Sequence, residues 1–370
     1  MRWIIAAGGT GGHVFPALSV AAALGEADPM AQILFIGTPW GMEGRAVPAK
    51  GFRLRQVHAR GLMGLGWLSK LRTVAGLPLT GIECLWILVG FRPDLVLGMG
   101  GYASGPVVLI AALLGIETAI AEQNAVAGRT NRILARFVRR VFVNFPQGGS
   151  MFSPSKVSVT GNPVREELVD AATNAVPMRW EARPGEEFHL FIFGGSQGAL
   201  GIDRAVLDAI PLLRDFPYPL KVLHQTAEDR VQDLDAAYAA SGVPHTVVPF
   251  IQEMDRAYCW AHLVVCRAGA TSLAEIALFR RPSVLIPFPY AADDHQTENA
   301  RAFESAGAAV LLVEKSLTGE RLARVIGSLA ADPERLSKMS ESAWTLARPD
   351  AARAIAQECI RLVAERKGYG

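Results

Sequence analysis

The stretch GGTGGHVFP, residues 8–16, follows the apolar run WIIAA and leads straight into an apolar helical pattern from Val14. A strand, a turn of glycines and a helix in succession open a βαβ unit. Glycines let the chain turn tightly and bring backbone N–H groups close to an anion at the positive end of the helix dipole. The same arrangement returns near mid-chain: FHLFIF at 188–193, GGSQG at 194–198, then a helical run over 202–213. The two glycine loops are 186 residues apart in a chain of 370, so one architecture is used twice.

Outward from these loops, short apolar runs alternate with helical ones. In the first half strands are expected at 3–7, 32–37, 95–98, 118–121, 140–144 and 156–160, with helices over 14–24, 106–114 and 129–139. In the second half strands are expected at 188–193, 220–224, 246–248, 263–266, 283–287 and 309–313. Apolar strands alternating with helices predict parallel βαβ units. Residues 161–187, with Pro163, Pro177 and Pro184 among mixed charges, read as the linker, and a closing helix starts at about Asp350.

The length suits two domains, and 50% hydrophobic against 19% charged residues allows two sizeable cores. The cysteines Cys84, Cys259, Cys266 and Cys359 form no CxxC pair, and three lie in apolar runs. Reduced thiols of an intracellular protein are expected, not a zinc site. No targeting segment is read at the N-terminus, because glycines break the apolar run early. The apolar stretches 77–90 and 107–121 carry Glu83 and Glu117 and fall short of the ~20 residues a membrane-spanning helix needs. A net charge of +2 hides an asymmetry: residues 1–160 hold 15 Lys+Arg against 7 Asp+Glu, and the remainder is acidic. Either the first half meets something anionic or surface composition has drifted.

Two common meanings of a glycine loop fail. A dinucleotide fingerprint needs G-x-G-x-x-G and an acid after the second strand; here Gly9 and Gly11 are followed by Val14, and the strand ends at Gly37-Thr38. The P-loop lysine is missing from both loops. His13, at the helix start, is suited to a general base, since the dipole and burial there favour neutral imidazole; the alternative is a histidine donating to a carbonyl. In CRAGATSLAE, residues 266–275, Ser272-x-x-Glu275 fits a capping box, while the carboxylate also suits ribose hydroxyls. Asp293, Asp294, His295 and Gln296 follow a strand end, where open α/β sheets bind ligands. Asp233-Leu234-Asp235 is a DxD triplet in a helical stretch and reads as a solvated face, so no metal is expected. Between Arg53 and Arg92, basic residues alternate with Leu62, Met63, Trp67, Leu68 and Trp86. That mixture suits an anionic membrane surface, or an amphipathic helix packed on its own sheet.

Seven blocks in order, GGTGGHVFPAL (8–18), GMGGYASGP (98–106), EQNAVAGRTNR (122–132), TGNPVR (160–165), GGSQGA (194–199), CRAGATSLAEI (266–276) and DDHQTENA (293–300), resemble the MurG family of peptidoglycan glycosyltransferases over nearly the whole chain. The resemblance implies an α/β GT-B fold of two Rossmann-like domains with parallel sheets facing a cleft: 1–163, joined by a helix over about 348–370, and 164–347. It implies that GlcNAc moves from UDP-GlcNAc to the C4 hydroxyl of undecaprenyl-diphosphate-linked MurNAc-pentapeptide, inverting the anomeric carbon, with no cofactor, metal or nucleic acid. His13 would be the base. Thr10, Gly11, Gly12 and Asn124 would touch the sugar nucleotide from the N-terminal side. Arg165, Ser196, Ile251, Ala270, Thr271, Ser272, Leu273, Ala274, Glu275 and Gln296 would hold it from the other, with either His295 or Gln296 at the sugar hydroxyls. The acid that orients His13 is left open in this scheme, with Glu122 a candidate. Implied surroundings are the cytoplasmic face of the inner membrane, an anionic lipid surface and other cell-wall synthesis proteins.

Overall fold

Parallel strands covered by helices on both faces are buried on both faces, which is why they read as near-continuous apolar runs. The computed structural model describes residues 1–59, 67–175, 178–195, 198–213, 216 and 218–368, and for 67–75 the backbone alone. Its first sheet comprises β1 (Arg2–Ala7), β2 (Gln32–Gly37), β3 (Arg53–Gln56), β4 (Leu95–Gly100), β5 (Glu117–Glu122), β6 (Arg140–Val143) and β7 (Val157–Val159), in the order β3-β2-β1-β4-β5-β6-β7. The second comprises β8 (Phe188–Phe193), β9 (Leu220–Gln225), β10 (His245–Val248), β11 (Leu263–Cys266), β12 (Ser283–Leu285) and β13 (Ala309–Leu311), in the order β10-β9-β8-β11-β12-β13. Neighbouring strands in both sheets run parallel.

The helices are α1 (Gly11–Ala27), α2 (Glu43–Ala49), α3 (Trp67–Phe91), α4 (Ser104–Leu113), α5 (Arg129–Leu134), α6 (Pro146–Gly149), α7 (Glu166–Asn174), α8 (Leu200–Leu213), α9 (Val231–Ser241), α10 (Met254–Trp260), α11 (Ala270–Leu278), α12 (His295–Ser305), α13 (Gly319–Ala330), α14 (Pro333–Leu346) and α15 (Ala351–Lys367). The chain divides into two compact units, Met1–Arg165 with Arg348–Gly370, and Glu166–Ala347.

In the first unit, consecutive residues of β1 serve opposite faces, as the pleat requires. Ile5 packs with Phe35, Leu97, Ile355 and Leu362 under α1 and α15. Ile4 packs with Val96, Ile120, Leu88 and Val107 under α3 and α4. The last helix therefore closes the first sheet, and ion pairs Arg140–Glu358 (2.9 Å) and Lys367–Asp94 (2.8 Å) pin it there. Along α3, Thr80, Cys84 and Leu88 are buried while Leu79, Ile82, Trp86 and Val89 are exposed, Trp86 at 75%. Among the described residues no helix is long and apolar enough to cross a membrane.

Several local expectations are corrected. The basic stretch after residue 52 is not all helical: Arg53–Gln56 forms a polar edge strand beside β2. The helix expected over 129–139 stops at Leu134, where Lys156 Nζ donates to the Ala135 and Arg136 carbonyls (2.9 and 3.2 Å), satisfying the exposed end of the helix. The stretch 161–187 holds the join between the two units, after Arg165, but beyond that join it is not a linker. It contains α7 and places Met178 and Trp180 in the second core, with Trp180 Nε1 donating to Ala330 O at 2.8 Å.

Trp180 belongs to an aromatic cluster with Phe188 and His262. Burial first, then the neighbouring His189 and Arg281, pushes the His262 pKa down to about 4. A histidine whose folded pKa lies below its unfolded value of ~6.5 contributes stability at neutral pH that is lost as the pH falls from ~6.5 toward 4. Urea unfolding of the second unit is expected to show about 1–2 kcal/mol less stability at pH 5 than at pH 7, after allowance for the ring's partial exposure. In His262→Phe that difference should shrink by more than half; an unchanged difference assigns the acid sensitivity elsewhere.

Candidate active site

In each sheet the strand preceding a glycine loop sits where the strand order reverses, between β2 and β4 for β1 and between β9 and β11 for β8. Such switch points leave a crevice at the carboxyl ends of the strands.

In the first unit, two loops interlock there. A bulge at Met99 shifts the β1–β4 register, Ala6 pairing with Gly98 and Ala7 with Gly100. Gly100 and Gly101 then adopt φ of +100° and +81°. A Cβ on Gly101 would lie 2.1 Å from Gly8 O, and one on Gly100 would lie 2.5 Å from His13 Cδ2 and 2.8 Å from Nε2. The imidazole of His13 is thus lodged against bare backbone. The helix begins at Gly11, three residues earlier than expected, so His13 is in its first turn and donates from its backbone N–H to Thr10 O (3.1 Å). Thr10 is the N-cap, makes no side-chain cap, and the first turn carries no acid. Its electropositive end faces the loop.

Glu122, at the end of β5, commits both carboxylate oxygens to the following loop. Oε1 accepts from Asn124 N (3.0 Å) and Nδ2 (3.2 Å); Oε2 accepts from Gly128 N (2.9 Å) and Asn131 Nδ2 (2.8 Å). It positions Asn124 rather than serving as the orienting acid suggested for His13. Gln123 Nε2 donates to Met99 O (2.9 Å), tying this loop to the bulge. Arg165 is the last residue of the first unit, its guanidinium 5.2 Å from the centroid of the Phe15 ring.

In the second unit, the glycine loop after β8 brackets Ser196, which lies outside the described residues. At Gly198 a Cβ would sit 2.6 Å from Arg230 Nη2, so this arginine underlies the loop. Buried Asp203 holds Arg230 Nε at 2.6 Å and also meets Thr226 Oγ1 (2.8 Å) and His224 Nε2 (3.3 Å). Burial works to raise the Asp203 carboxyl, but these three partners outweigh it and hold it below the usual range.

The capping box expected in CRAGATSLAE does not form. Gly269 is the N-cap without a side-chain bond, Ser272 is already the third helical residue, and buried Glu275 accepts from Tyr258 OH at 3.0 Å. The helix begins three residues earlier than the motif requires, which turns Glu275 inward toward α10. Ala270, Thr271, Ser272, Leu273 and Ala274 make up the rest of the opening turns of α11, directly after β11. Ile251 follows β10, half-buried. Gln296 accepts from Phe288 N (3.0 Å) through Oε1, and His295 Nδ1 pairs with Ala292 O (2.7 Å). Arg267 shapes the same rim: it donates to the Ile286 and Pro287 carbonyls (3.1 and 3.0 Å) and pairs with Glu314. Asp233 and Asp235 lie within α9, and Asp235 meets His245 at 3.2 Å. Among the described residues no group of three or more His, Cys, Asp or Glu is placed to hold a metal ion.

Comparison with known proteins agrees with this double architecture. Residues 3–143 match the N-terminal domain of glycosyltransferase family 28, and residues 189–355 match its C-terminal domain. A protein of Myxococcus xanthus named UDP-N-acetylglucosamine-N-acetylmuramyl-(pentapeptide) pyrophosphoryl-undecaprenol N-acetylglucosamine transferase is 44% identical over 100% of this chain and 94% of its own. One of the same name from Syntrophus aciditrophicus is 45% identical over 98% and 99%. The crystal structure of Acinetobacter baumannii MurG superposes with a TM-score of 0.78 at 32% identity, covering 97% of this chain and 99% of that one. The chain belongs to the MurG family of glycosyltransferases. It is accordingly a hexosyltransferase. A UDP-GlcNAc 2-epimerase from Neisseria meningitidis, at 14% identity and a TM-score of 0.67, shares the fold alone.

Within this MurG-family chain, Thr10 caps α1 and Gly11, Gly12 and His13 form its first turn, with Asn124 on a neighbouring loop. Ile251, Gln296 and the α11 turns occupy carboxyl-end loops of the second sheet. Reading the sequence missed Arg230, Arg267, Gln123 and Glu43. Arg267 and Gln123 left a signal, each just past a strand end inside a recognised block; Arg230 and Glu43 reach the loops from other parts of the sequence.

Proposed function

We propose that the protein transfers GlcNAc from UDP-GlcNAc to the C4 hydroxyl of undecaprenyl-diphosphate-linked MurNAc-pentapeptide by direct displacement. The observation that carries the reading is His13, lodged against Gly100 at the opening of α1 on the ligand edge of the first sheet. The hydroxyl proton passes to the imidazole as oxygen bonds to the anomeric carbon, and the bond to the β-phosphate breaks to release UDP with inversion. Thr10, Gly11, Gly12 and Asn124 meet the donor from the first unit. Arg165, Ser196, Ile251, Gln296 and Ala270 through Glu275 hold it as well, Glu275 at the ribose. Backbone N–H groups and the uncapped opening of α11 offset the departing diphosphate, the task a divalent ion performs in other transferases.

The exposed stripe Leu79, Ile82, Trp86 and Val89 of α3, on a unit rich in basic residues, suits an anionic bilayer. Of the two origins open for the basic stretch, membrane contact fits this stripe better. We place the protein peripherally on the cytoplasmic face of the inner membrane, near other cell-wall synthesis proteins.

The test is UDP release by purified protein given UDP-GlcNAc and lipid-linked muramyl-pentapeptide in EDTA. Release is expected at an undiminished rate, and faster than with UDP-glucose. No release above blank overturns the acceptor assignment; release abolished by EDTA and restored by a divalent ion overturns the metal-free route.

A further inference from the structure

We infer that Glu43 is a positioning residue for transfer, holding the 8–12 loop, and through it His13, in working geometry; this rests on the proposed role of His13. Glu43 is fully buried, one of only seven acids in the basic first 160 residues. Burying a carboxylate is costly unless donors surround it. Here Oε2 accepts from Gly9 N (3.0 Å), and Oε1 accepts from Thr38 N (2.7 Å) and Thr38 Oγ1 (2.9 Å). Met42 N donates in turn to Gly9 O (3.2 Å), so both polar groups of the Gly9 peptide backbone are taken by residues 42 and 43. Gly9 itself is at φ +92°.

Three glycines make room for this one side chain. A Cβ on Gly8 would lie 2.7 Å from Glu43 Oε1, on Gly37 2.4 Å from Cγ, and on Gly41 1.8 Å from Oε2. Several glycines around the first loop thus admit an internal carboxylate as well as any phosphate. The clamp grips the loop at one end; at the other, Thr10 O receives the His13 N–H, and the His13 ring rests on Gly100. A loop released at Gly9 carries the imidazole with it, and displacement of a catalytic group by about 1 Å can cost on the order of a hundredfold in rate. Charge matters as well as shape. All three partners are donors, so a glutamine of equal size turns an N–H₂ toward one of them.

The test uses the full chain carrying Glu43→Gln, and separately Gly41→Ala, whose methyl displaces the carboxylate without a substitution in the 8–12 loop. Each is made in the wild-type and His13→Ala backgrounds, with unfolding midpoints measured. Expected for both is a fall in kcat of about thirtyfold with KM for UDP-GlcNAc within twofold, and less than about threefold further loss in the His13→Ala background. A folded variant with wild-type kcat, or one that slows His13→Ala as much as wild type, overturns the inference. If Glu43→Gln does not fold, Gly41→Ala decides by the same criteria. A near-normal rate for His13→Ala instead overturns the role of His13, whereas a slow His13→Ala beside a normal Glu43→Gln overturns Glu43 alone.

Discussion

Replacing His13 by alanine is expected to lower kcat about a thousandfold while KM for UDP-GlcNAc stays within about threefold. A positioned general base contributes ~10²–10⁴ in rate, and its removal acts in the transition state rather than on donor binding. The contacts of His13 separate this from a packing effect. The His13 backbone bond to Thr10 O survives the substitution, and the ring rests on Gly100, which has no side chain to collapse. The unfolding midpoint should therefore move little. Steady-state kinetics with both substrates varied checks the split; a kcat within tenfold of wild type excludes His13 as the base.

Gly100→Ala attacks the same group from the opposite side. The new methyl would stand 2.5 Å from His13 Cδ2, at a backbone φ of +100°. The imidazole must move, and a fall in kcat of about a hundredfold is expected, with the first unit destabilised by about 1–2 kcal/mol from the left-handed backbone. Gly115→Ala is the control, since Gly115 is also at positive φ, +70°, but has nothing within 4 Å of a Cβ. It should lose comparable stability and keep its rate. Equal kinetic losses in the two variants would show that strain, not the clash with His13, is responsible.

How far the chain can be read without its structure follows from the range of each interaction. Strands such as IIAA in β1 and LFIF in β8 are buried on both faces, so their apolar runs are complete in themselves, as are the glycine loops after them. Order along the chain then gives two parallel sheets, because a strand–helix–strand crossover admits little else. The ordered blocks carried the family. What escaped was whatever depends on a partner distant in sequence. Proline-marked 161–187 reads as a linker until Trp180 meets Ala330, 150 residues away. Ser272 and Glu275 match a local cap, but the helix is capped at Gly269 and Glu275 turns to Tyr258. Glu43 carries no mark in the sequence around it, yet it closes on Gly9 across 34 residues. The sequence by itself determined the doubled βαβ architecture, both glycine loops and His13 beside the first, because each is a property of contiguous residues. Tertiary structure alone decided which buried carboxylates brace those loops and which glycines give them room, because these choices are made by side chains that meet only after the sheets have formed.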